Sequence, residues 1–229
     1  MNAPEPVSPK PRLPGQREAL CHELQRAIIL GQLHPRERLV EDEIIARSGA
    51  TRHAVRRALD ELERLGLVIR HPNRGVRVRD YTITEVEDLY EIRTCLERQA
   101  ALRYALPANP AFLGQLRQIA KEHAKLSRRR QFIEMFALNN KFHDMLYSGA
   151  GNEALADAIR HFTFATHPIR MRGFPDDELR EAAIADHGAM VAAVETGNRA
   201  RLASLVVEHI MRPMRFYIAC AINEAPPGC

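Results

Sequence analysis

Four side chains in the second half of the sequence have the types and spacing to hold a metal ion. Asn139 and His143 are four residues apart in a helical stretch, so they project from one face. His187 lies ten residues before Gly197 and His209 twelve after it. If the helices on either side of that glycine pack antiparallel, the two imidazoles lie at similar heights, roughly 15 and 18 Å from the turn at about 1.5 Å per residue. Three imidazoles and an amide oxygen would then converge inside a bundle. That donor set suits a divalent ion, Zn²⁺ first, with Ni²⁺ or Mn²⁺ as alternatives. Spacing alone favours ordinary helix histidines, since the chain has ten. His123, His161 and His167 are read that way. Arg93 shares a face with Leu89, Leu96 and Ala100, and a guanidinium there needs a buried partner. The partner is either Glu97, one turn later, or the carboxylate of a bound small acid, which Arg holds by two parallel hydrogen bonds. Arg160, Arg170 and Arg172 stand behind Arg93, in a less regular stretch.

A second constellation lies near the N-terminus. Thr51 to Leu65 reads as one helix in which Val55, Ala58, Leu59, Leu62 and Leu65 form an apolar stripe. Arg52, His53, Arg56 and Arg57 lie off that stripe, and Thr51 can cap the first turn. A packed helix with a basic, donor-rich start is what reading the major groove of DNA requires; a solvated helix carrying arginines is the alternative.

The elements around these residues follow from periodicity and punctuation. Helices are expected over 16–30, 41–48 and 51–65, with Gly49 allowing the turn between the last two. Residues 67–70 and 76–79 are β-prone and flank His-Pro-Asn-Arg-Gly, so they read as a hairpin. Together these make a winged helix-turn-helix, with His71, Asn73 and Arg74 at the wing tip. The remainder reads as six helices, over 84–106, 110–128, 130–148, 152–165, 176–196 and 198–222, with Thr84 and Glu87 as a capping box. The fold class is therefore mostly α. A tail over 1–14 precedes a winged domain over 15–80, an antiparallel bundle over 81–222 and a tail over 223–229.

Composition agrees. Net charge is +4, with 15 Lys and Arg against 11 Asp and Glu in residues 1–80 and 18 against 18 in the rest. A basic module on a neutral body points to a polyanion partner. The cysteines, Cys21, Cys95, Cys220 and Cys229, form no CxxC pair, which fits reduced thiols in the cytoplasm. No apolar run is long enough for a membrane span.

The stretch GQLHPRERLVEDEIIARSGATRHAVRRALDELERLGLVIRHPNRGVRV resembles the DNA-binding domain of GntR-type bacterial regulators. The resemblance implies that Arg38, Thr51, Arg52, His53, Arg56, Arg57, His71, Asn73, Arg74 and Gly75 face a pseudo-palindromic operator bound by a homodimer. Pro35-Arg36 departs from the family's Pro-Gly. Some relatives also place a DNA-contacting arginine on the second helix, where this chain has Glu41, Asp42 and Glu43. Residues 84–215 are similar to the FCD effector domain of the FadR branch, through Glu91-Ile92-Arg93 with Glu97, Asn139-x-x-Phe142-His143, Asp186-His187 and His209. That resemblance implies a divalent metal on Asn139, His143, His187 and His209, a small carboxylate effector near Arg93, and the VanR-like six-helix subtype. It makes the protein a regulator, most simply a repressor. The other reading is a metal-dependent enzyme using the three histidines, which lacks an evident general base.

Overall fold

The computed structural model describes residues 16–224 except 73 and 105. The expected tail over 1–14, the last five residues and the wing residue Asn73 lie outside the described residues.

The N-terminal part is built on three helices: α1 (Gln16–Ile29), α2 (Glu41–Ser48) and α3 (Arg52–Arg64). Leu20 and Leu24 of α1 and Val55, Leu59 and Leu62 of α3 are buried in one apolar cluster. Thr51 caps α3 as its residue type suggests, its hydroxyl accepting from the Ala54 amide at 3.2 Å. Gly49 ends α2 in the left-handed region, at φ 66°. The hairpin is β2 (Val68–His71) against β3 (Gly75–Val78), with Ile69 opposite Arg77. A short strand β1 (Arg38–Leu39), not anticipated from the sequence, pairs with the outer edge of β3. Two residues carry no periodicity, so only the pairing of Leu39 with Val76 reveals it.

Seven helices follow among the described residues, where six are expected: α4 (Ile83–Leu102), α5 (Pro110–Arg128), α6 (Phe132–Ser148), α7 (Glu153–Ala165), α8 (His167–Arg172), α9 (Asp177–Glu195) and α10 (Arg199–Glu224). Pro168 reads as a helix stop in the sequence, but it occupies the first turn of α8, where proline's missing N–H has no partner to lose. The capping box of α4 is Thr82 with Glu85, two residues before the expected pair. Thr-x-x-Glu occurs at both registers. The Tyr81 amide is held by the Tyr217 hydroxyl at 3.2 Å, and the helix starts as soon as that anchor ends. No linker helix intervenes between the wing and α4. α4 also stops short of the expected end, because Tyr104 turns inward against Phe112 and Gly149. Within the bundle, α10 packs on α4 and α9, and α5 packs on α6 and α9.

The two parts share a core. Phe132, Met135 and Phe136 of α6 and Met171 of α8 belong to the same buried cluster as the helix-turn-helix. Beyond α3, Gly66 (φ 71°) lies against Phe164; a Cβ there would come within 3.2 Å of the Phe164 ring and carbonyl. His167 Nδ1 bonds the Leu65 carbonyl at 3.0 Å, which caps the C-terminal end of α3 from the bundle side. The connecting segment is held by the Tyr217 hydroxyl, which donates to Asp80 at 2.5 Å, and by Arg36 pairing with Asp80 at 2.7 Å.

Gly66→Ala combines a strained backbone with a clash, so it is expected to cost about 1–3 kcal/mol in urea unfolding; an unchanged midpoint would contradict the close docking of Phe164. His167 is buried and neutral: burial first, then the Arg170 charge, lower its pKa to about 3. The unfolded imidazole titrates near 6.5, so this stability is fully present above about pH 6.5. It is lost as pH falls toward the folded value, by about 1.4 kcal/mol per pH unit. Urea midpoints between pH 6.5 and 5 should therefore fall more steeply for wild type than for His167→Gln. Parallel profiles would contradict this.

Candidate functional site

The basic face comes first. Arg52, His53, Arg56 and Arg57 are all exposed on α3, as the stripe analysis requires. Arg74 and Gly75 are exposed on the wing and His71 is half-buried there. Arg38 reaches this surface through β1, its guanidinium about 3.5 Å from where a Gly75 Cβ would stand. The acidic start of α2 reaches the same arginines. Arg56 Nε bonds Glu41 at 3.0 Å, and Arg52 pairs with Asp42 at 2.7 Å and Glu41 at 3.6 Å. These pairs are solvent-exposed, and exposed ion pairs contribute about 1 kcal/mol or less. Phosphates or base edges can displace them at small cost. Arg70, by contrast, is tied to Asp60 and Glu63.

The second centre lies in the bundle. α6 presents His143, α9 presents His187 and α10 presents His209, and candidate ligand nitrogens of the three lie within 4.8 Å of one another. The antiparallel arrangement about Gly197 does bring His187 and His209 level, with ring centroids 4.9 Å apart. His143 Nε2 and His209 Nε2 are 3.1 Å apart. Nitrogens sharing a tetrahedral Zn²⁺ at about 2.0–2.1 Å would be separated by roughly 3.3 Å. His209 Nδ1 meets Asp186 Oδ2 at 3.2 Å. Donating there leaves the Nε2 lone pair facing the cluster, the orientation a carboxylate imposes on a metal-bound imidazole. Asp186 is also held by Arg212 at 3.0 Å. Burial raises its pKa, but the His209 and Arg212 hydrogen bonds and charges outweigh that and keep it below the ordinary carboxylate value.

Donor chemistry and burial together fit a metal ion. Both nitrogens of His187 and Nδ1 of His143 are buried without a hydrogen-bond partner. Burial, then neighbouring imidazole charges, lowers the pKa of both rings well below the usual value, so they remain neutral donors. Asn139 is buried one turn before His143 and lines a cavity of about 70 Å³ together with His209.

Arg93 does not line this cavity. Its Nε donates to Glu97 at 2.8 Å and Nη1 to Thr166 at 2.9 Å, while Glu97 also accepts from the Tyr147 hydroxyl. Of the two partners the sequence leaves open for this apolar-face guanidinium, Glu97 one turn along is the one it meets here, away from the cavity. Among the cavity's buried cations is Arg170, from α8. Arg170 donates to the neutral Asn140 amide at 2.8 Å, its Nε has no partner, and no carboxylate pairs with it among the described residues. Burial and then the Arg93 charge press its pKa down to about 10, which leaves it charged at neutral pH. Arg180 and Arg212 also line the cavity but are paired with Asp177 and Asp186.

Arg170, which the sequence places behind Arg93, sits on a helix that the sequence hides behind Pro168. His123, on α5, has no spacing relation to the other histidines; only the packing of α5 on α9 brings its ring to 4.6 Å from that of His187.

Comparison with known proteins agrees with this architecture. Residues 16–78 match the bacterial regulatory proteins of the gntR family, and residues 88–212 match the FCD domain. The chain is 25% identical to the HTH-type transcriptional regulator YdhC of Bacillus subtilis, over 82% of this chain and 84% of that one. It is 24% identical to the HTH-type transcriptional repressor RspR of Escherichia coli, over 82% of each. Among solved structures, E. coli McbR/YncC superposes with a TM-score of 0.62 at 18% identity, covering 93% of this chain and 99% of that chain. A GntR regulator from Rhodococcus sp. RHA1 gives 0.61 at 21% identity, covering 89% and 98%. These relatives are regulators and not enzymes. With an FCD domain spanning more than half of its length behind a GntR-type helix-turn-helix, the chain belongs to the GntR family of DNA-binding transcriptional regulators.

Proposed function

We propose that the protein is a dimeric repressor whose grip on a pseudo-palindromic operator is set by a small organic acid bound beside a divalent ion in the bundle. The observation that carries this reading is the cavity wall. A buried Arg170 guanidinium, with no ion-paired carboxylate among the described residues and no partner on Nε, faces the same space as Asn139, His123 and His209. Burying a lone cation is costly, and an anion entering that space relieves the cost. Asn139, His143, His187 and His209 would hold the ion, Zn²⁺ by donor chemistry, and the ion would supply a positive point for a carboxylate.

A route to the DNA exists in α8. Arg170 meets the cavity, while His167, three residues earlier on α8, bonds the carbonyl at the end of α3. Thr166, at the N-terminus of α8, accepts from Arg93. An acid with different affinity for two α8 positions would shift α3 and the half-site geometry of the dimer. The operator itself is read by α3, with Arg52 and Arg56 exchanging Glu41 and Asp42 for DNA.

Arg52→Ala or Arg56→Ala should weaken binding to an operator selected from randomised duplexes by about 1–3 kcal/mol, with the fold retained; equal affinity in gel-shift titrations would remove the assignment. Arg170→Met should retain operator binding and bound metal but lose the change in operator affinity that a screen of small carboxylic acids elicits in wild type. A response equal to wild type would return the anion role to another residue.

A further inference from the structure

We propose that His123 is a ligand of the same centre, a fourth imidazole delivered by α5. The inference rests on the metal reading above and extends it to a residue outside the matched motif. His123 is 3% exposed, and its Nδ1 is buried with no hydrogen-bond partner. Its ring lies 4.6 Å from that of His187, and it lines the cavity with Asn139 and His209. α5 packs on α6 and α9, the helices that carry Asn139, His143 and His187.

A structural histidine in this molecule looks different. His167 is equally enclosed, and its Nδ1 is satisfied by the Leu65 carbonyl at 3.0 Å. His123 has no such partner, and an unsatisfied buried polar group costs about 1–3 kcal/mol. Coordination removes that penalty. His123 stands outside the set of nitrogens within 4.8 Å, so it joins by turning about its side-chain bonds beside the adjoining cavity. The donor set then becomes four imidazoles and one amide, all neutral. Such a set favours Zn²⁺, Ni²⁺ or Cu²⁺ over Mn²⁺ and Mg²⁺. It leaves the ion's charge for an anionic effector to balance.

The test uses full-length protein stripped by chelation and reloaded with Zn²⁺ or Co²⁺. Wild type is compared with His123→Leu, which fills similar space, with His123→Ala as a second variant and exposed His161→Ala as control. Zn²⁺ affinity is read by competition with a chromophoric chelator, and coordination by the Co²⁺ d–d absorption. Loss of His123 should lower Zn²⁺ affinity at least about tenfold and alter the Co²⁺ bands, while the far-ultraviolet circular dichroism of the apo protein and the behaviour of His161→Ala stay unchanged. Wild-type affinity and Co²⁺ bands in either His123 variant would overturn the proposal and leave the three-histidine site standing. Absence of bound ion in wild type would overturn both.

Discussion

Four imidazoles lie side by side in the bundle, and four of their nitrogens are buried with no hydrogen-bond partner among the described residues. Few features of a protein interior are as unfavourable as unsatisfied polar atoms at this density. The surrounding packing is arranged so that the cluster persists. Phe142 stacks on His187 at 4.2 Å, Tyr147 stacks on His143, and Asp186 fixes the orientation of His209. The helices that carry the cluster, α5, α6, α9 and α10, are those that form much of the bundle core.

Charge is handled differently on the two sides of this centre. The Arg93–Glu97 pair is enclosed and complete, with Thr166 and Tyr147 taking the remaining hydrogen bonds, as a buried ion pair requires. Arg170 is equally buried but incomplete. One guanidinium is paired within the fold; the other is where the proposed anion would bind. α8 couples the incomplete one to the recognition helix: six residues place Arg170 at the cavity and His167 at the α3 terminus. α6 and α8 share a core cluster with the helix-turn-helix, so the cavity wall is packed directly on the DNA-binding part.

The DNA-facing surface uses its acidic neighbours in a similar way. Glu41 and Asp42 occupy Arg52 and Arg56 without burying them. The arginines are thereby held near the start of α3, where its dipole also favours phosphate, and the weak, exposed pairs are exchangeable.

Much of this was legible in the sequence. The apolar stripe of α3, the Thr51 cap, the Gly49 turn and the alternating Val76 and Val78 are local patterns with one-dimensional signatures. The level placement of His187 and His209 also followed from counting residues on either side of Gly197. What failed was decided by contacts between distant segments. β1 exists through pairing with Val76 and Arg77, the capping register of α4 is set by Tyr217, and α8 hides behind a proline that serves as its first turn. Charge partners belong to the same class. The sequence offered Arg93 two partners, and burial beside Glu97 chose one; it gave His123 no role, and the packing of α5 on α9 set it against His187. Periodicity determines which face of a helix is apolar, because that is a property of one segment. Which polar atoms remain unpaired is a property of the whole assembly, since every other helix has first to be in place.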